Sequence, residues 1–141
     1  MGTVARFRNP SGIQFIDTMK ELANHTIFYI NRLPKSTRFI WQTKICELVQ
    51  DALIHVAKAN SVFVKYESDY AYRRRLLQSA MGNIDALEIY LATLATGGYY
   101  SSIAKGEDFP FLKWGELIDR ERSLIKKVMT KDEEAFKKIS G

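Results

Sequence analysis

Cysteine occurs once, at Cys46, so no disulfide within the chain and no cysteine metal cluster can form. Its place among helical stripe residues makes it a small core residue. A reducing compartment, the cytoplasm, is the expectation. Histidine occurs twice, at His25 and His55. In an antiparallel hairpin of the first two helices they would lie ~15 Å apart at ~1.5 Å per residue, too far to share a metal. No Glu-x-x-His pair occurs, which excludes the di-iron carboxylate bundle. The G-x-S-x-G, P-loop and H-E-x-x-H motifs are also absent. Asp51 and His55, four apart, suit a surface hydrogen bond better than a catalytic dyad. No enzyme activity, cofactor or metal site is expected.

Long apolar runs are missing as well. The most apolar stretch, Ala86 to Ala95, is interrupted by Glu88 and is too short to span a bilayer. Met1 to Pro10 lacks the apolar core of a signal peptide, and Arg6 stands where a myristoylation motif needs Ser or Thr. With only three prolines and eight glycines, long helices have room to form.

What is present is helical periodicity. The 141 residues, 46% of them hydrophobic, suffice for one domain with its own core. Leu77, Ala80, Ile84, Leu87, Leu91 and Leu94 recur in steps of three and four, one apolar stripe that other helices must cover. Ile16, Met19, Ala23, Thr26, Ile30 and Leu33 make a similar stripe in a first helix running from a Ser11 cap to about Leu33. Pro34 ends it, and Ser36 or Thr37 is expected to cap the second helix, which begins near Arg38. Ile45, Val49, Ala52, Val56, Ala59 and Phe63 form that helix's stripe. A break between Ser61 and Asp69, with Ser68 or Asp69 as cap, leads to the third helix. Gly97-Gly98 is the expected stop. Tyr99 to Pro110 reads as the longest loop, and its aromatic residues, with Phe111, pack onto the bundle end or form a binding lip. The fourth helix starts near Pro110. Its stripe is Trp114, Leu117, Ile118, Leu124, Ile125 and Val128, with Glu121 intruding as an acid in need of a partner. The expectation is an all-α, antiparallel up-down-up-down four-helix bundle over residues 11–129. A basic arm (1–10) precedes it and a charged, frayed tail (130–141) follows.

The net charge is +5 and the pI about 9.3, which favours an anionic partner. In that topology Arg73, Arg74, Arg75, Lys58, Lys65, Lys126 and Lys127 gather at one end, with Arg122 slightly further in. Arg6, Arg8 and Lys131 join them. Three successive arginines span ~300° of a helix, so at least one must lie against a neighbouring helix. These cations are candidates for phosphate contacts, with Tyr66, Tyr70 or Tyr72 available to stack on bases or to brace the arginines. The alternative is a solvated charged face with arginine stems lying on the bundle. Arg32, Lys35 and Arg38, at the other end, read as a solvated turn.

Several segments resemble a bacterial four-helix-bundle family. They are Leu33-Pro34-Lys35-Ser36-Thr37-Arg38-Phe39, Ala57-Lys58-Ala59-Asn60, and Tyr70 to Arg75 with Gln78 and Ala80. Trp114, Leu117-Ile118-Asp119 and Arg122-Ser123-Leu124-Ile125 complete the set. The family contains the accessory variability determinant (Avd) of diversity-generating retroelements, and a related branch is encoded by intervening sequences in ribosomal RNA genes. The resemblance covers nearly the whole chain through helix-packing positions, and the Tyr99 to Pro110 loop departs from it. It implies a homopentamer that binds RNA, with DNA as a second ligand. It also implies association with the element's reverse transcriptase, which performs the mutagenic copying of template RNA. The rival is a structural or protein-interaction bundle with no nucleic-acid role.

Overall fold

A computed structural model describes residues 13–140, with side chains to residue 138. The expected Ser11 cap, Arg6 and Arg8 lie outside the described residues. Among the described residues five helices follow in order: α1 (Gln14–Ile30), α2 (Lys35–Ser61), α3 (Glu67–Leu94), a short α4 (Tyr100–Ala104) and α5 (Phe109–Ser140). No strand occurs among the described residues. The protein is an all-α bundle of the four long helices.

The stripes explain the packing. Met19, Ala23, Thr26 and Ile30 of α1 are buried, as are Ile45, Val49, Ala52, Val56 and Ala59 of α2. Every expected α3 stripe residue, Leu77, Ala80, Ile84, Leu87, Leu91 and Leu94, is buried too. Trp114, Leu117, Ile118 and Ile125 of α5 close the core. Burying a leucine completely contributes about 1.5–3 kcal/mol, so these stripes rather than helix propensity hold the fold. Cross-helix contacts give the directions. His25, Thr26 and Glu21 of α1 meet Pro110, Trp114 and Arg120 of α5, so the two helices run oppositely. Arg73 meets Asp132 while Arg122 meets Glu88, so α3 and α5 also run oppositely.

Several boundaries differ from expectation. α1 ends at Ile30, and Leu33 is buried from the turn beyond it. Pro34 itself precedes α2, with no side-chain cap from Ser36 or Thr37; the Thr37 hydroxyl donates to the Pro34 carbonyl instead. Phe63 falls beyond the end of α2 and is 83% exposed, so it is not a core residue. Tyr66 occupies the cap position of α3. Asp69 acts from three residues later, its carboxylate accepting from the backbone N–H groups of Tyr66 and Lys65.

The glycine stop is real but brief. Gly98 has φ 96°, and the chain passes through one wide turn, Ala95–Tyr99, directly into α4. Lys105 (φ 50°) and Gly106 (φ 85°) then reverse it into α5. The expected loop is thus partly helical. Its aromatics pack rather than form a lip: Tyr100 stacks on Phe111 at 4.7 Å, and Phe111 meets Trp114. Residues 130–140 continue α5 instead of fraying, because Asp132 and Phe136 find partners on α3.

Candidate nucleic-acid interface

The basic end is built from the start of α3, the end of α2 and the last third of α5. The arginine triplet divides as helix geometry requires. Arg73 turns inward, its Nε 2.5 Å from Asp132 Oδ2 and its Nη1 donating to the Ala59 carbonyl at 2.8 Å. Arg74 is half-buried and donates to the Tyr70 hydroxyl. Arg75 is exposed, with its guanidinium 6.0 Å from the Tyr72 ring. Only Arg75 of the three stands clear toward solvent; Arg73 serves the fold.

Arg122 is also committed. It reaches Asp85 and Glu88 of α3 at 2.8 Å each, and Asp119 at 3.7 Å. Its hydrogen bond to Glu88, helped by Asp85, raises its pKa despite partial burial. Among the cations expected to contact phosphate, Arg122 is thus engaged by acids and clamps α3 to α5.

Lys58, Lys65, Lys126 and Lys127 are exposed. Lys126, Lys127 and Lys131 line an open groove of about 680 Å³ along α5, together with Arg122, Ser123 and Thr130. Lys127 and Lys131 also line a second depression of about 470 Å³ that includes Asn60 of α2. The groove's acids are Asp119, beside Arg122, and Glu134. The bundle topology places Lys131 at this end, and its part in a shared groove follows only once α5 continues past Thr130.

Of the tyrosines, Tyr70 is taken: it lies flat on Phe136 at 4.5 Å, with 14° between the planes. Tyr66 and Tyr72 remain exposed, the former with Lys65 Nζ 5.4 Å from its ring. Phe63 joins them, a surface aromatic although the helical spacing predicts a core position. The Val62-Phe63-Val64 stretch carries no glycine or proline to announce the helix end.

The minor basic cluster serves the turn. Arg32 lies over Tyr29 and donates to the Ile103 carbonyl, and Arg38 donates to the Leu33 carbonyl. His55 bonds Asn83 of α3 rather than Asp51. His25 contacts the Pro110 carbonyl, and burial lowers its pKa. No group of three or more metal-ligating side chains occurs among the described residues. No described helix is long and apolar enough to cross a membrane.

Glu121 is the anomaly of the core. It is fully buried on α5, and neither carboxyl oxygen has a hydrogen-bond partner among the described residues. Desolvation pushes its pKa up to about 9, so it is neutral at pH 7. The chain matches no protein-family model, no curated protein and no solved structure.

Proposed function

We propose that this bundle binds nucleic acid through its basic end, as an accessory to a reverse transcriptase. The observation that carries the reading is the groove of Lys126, Lys127 and Lys131. Among the described residues these lysines make no ion pair across helices that would explain them as supports of the fold, in contrast to Arg73 and Arg122. Lysines with hydroxyls between them suit phosphate oxygens, whose contacts position a strand without reading its sequence. The residue-pattern resemblance supplies the rest of the proposal: a homopentamer in the cytoplasm, serving a diversity-generating retroelement whose reverse transcriptase performs the catalysis. The ligand is nucleic acid, RNA or DNA.

A protein-interaction role has its own support. Phe28, Phe39, Ile40 and Leu112 are exposed near the α1–α2 turn and the start of α5, far along the bundle from the lysine groove. In the accessory reading this end meets protein while the lysine end meets nucleic acid. In the rival reading protein contact is the whole function.

The deciding experiment is binding of the purified protein to a structured RNA over a salt series. Log affinity should fall linearly with log salt. The variant K126Q/K127Q/K131Q should reduce that slope by about 2–3, at roughly 0.7–0.9 per lost phosphate contact. Absence of binding at low salt would remove the nucleic-acid reading and leave the protein-interaction one.

A further inference from the structure

Phe63, Tyr66 and Tyr72 are 83%, 63% and 45% exposed, three aromatic rings facing water within ten residues. The connector between α2 and α3 explains the display. Ser61 ends α2, its hydroxyl donating to the Lys58 carbonyl, and Val62 is extended (φ −74°, ψ 118°). In extended chain successive side chains alternate in direction. Val62 and Val64 are half-buried, while Phe63 and Lys65 are exposed. Asp69 pins the connector by accepting the Lys65 and Tyr66 N–H groups. Phe63 and Tyr66 are thus held outward on an anchored segment, and Tyr72 stands exposed on α3 just beyond it.

Cations interleave with them. Lys65 lies beside the Tyr66 ring, Arg75 beside the Tyr72 ring, and exposed Lys58 precedes the connector. The nearby acids are Glu67, exposed, and Asp69, occupied by the backbone. Positive charge alternating with rings complements a chain of phosphates alternating with flat bases. A duplex offers the phosphates but keeps its bases stacked inside, so only an unpaired strand can use the rings.

We infer that Phe63, Tyr66 and Tyr72 form a stacking platform for unpaired bases, so that the nucleic acid bound at this end is single-stranded. The inference rests on the nucleic-acid reading above and goes beyond it in naming the strand form and the rings that select it. Tyr70, stacked on Phe136, takes no part.

The test uses the full chain and two probes, a short labelled strand without self-complementarity and the duplex formed with its complement. The wild type should bind the strand more tightly than the duplex. F63A/Y66A should weaken strand binding about tenfold or more, leaving duplex binding and the salt slope unchanged. F63W should restore Phe63's share. Both residues are exposed, so circular dichroism should show an unchanged fold. Equal wild-type affinity for both probes overturns the inference but leaves the nucleic-acid reading standing. So does a strand preference that survives in F63A/Y66A. Loss of native mass in that variant reassigns the rings to contact between copies and overturns it too. Failure to bind either probe at low salt sinks the inference together with the reading beneath it.

Discussion

Arg73 and Asp132 stand 59 residues apart in the chain and in contact in the fold, Nε to Oδ2 at 2.5 Å, with both side chains more than four-fifths buried. This pair ties the last turns of α5 to the start of α3. It explains why a segment rich in charge stays helical. D132A should detach those turns and cost about 1.5–3 kcal/mol, the range for a hydrogen bond to a charged group. Urea denaturation measures the loss, and hydrogen exchange in residues 130–138 locates it. Unchanged exchange there would mean that Tyr70 and Phe136 hold the segment unaided.

Glu121 makes stability depend on pH. Its carboxyl keeps its proton to about pH 9 in the folded chain, against an ordinary value of 4.5. Unfolding at intermediate pH therefore releases a proton, and stability falls as pH rises from 4.5 toward 9. The linkage slope is at most about 1.4 kcal/mol per pH unit. E121Q removes the ionisation while keeping the size. The Tm of the wild type should drop from pH 5 to pH 8 relative to that of E121Q. Parallel Tm curves would mean that the carboxyl finds water or a partner in solution.

The apolar stripes were legible because burial repeats with the helix period. Leu77 to Leu94 follow it without a break, and all six expected positions are buried. The boundaries were less legible because local chemistry decides them. Phe63 continues the α2 spacing, yet the helix stops two residues earlier without glycine or proline. Asp69 caps from inside the helix, a role its sequence position shares with a true N-cap. The roles of the charges were least legible. Arg73 and Arg75 differ by two positions, and the side each faces depends on where α5 ends. That Arg122 would be neutralised required knowing that Asp85 and Glu88 lie opposite it.

Trp114 and Thr26 link α5 to α1 inside the core. Trp114 Nε1 donates to Thr26 Oγ1 at 2.9 Å, and Thr26 donates on to the Leu22 carbonyl at 2.7 Å. T26V keeps the shape but leaves the indole N–H without an acceptor, which should cost about 1–3 kcal/mol. T26S keeps the hydroxyl and should lose less. Equal loss in both variants would assign the effect to packing of the threonine methyl group.

Arg122 is a cation at the groove held in check by acids. Asp85 and Glu88 each meet its guanidinium at 2.8 Å. D85N/E88Q leaves the arginine in place with only Asp119, at 3.7 Å, as a charged partner. If the groove binds phosphates, the freed arginine adds one contact. The slope of log affinity against log salt should then steepen by about 0.7 on single strands. R122Q alone, with the acids retained, should change the slope little, because that arginine was already neutralised. The two variants move net charge in opposite directions, so charge alone would shift affinity both ways. A large effect of R122Q on the slope, with none from D85N/E88Q, would place Arg122 on the nucleic acid already and overturn its assignment as a clamp.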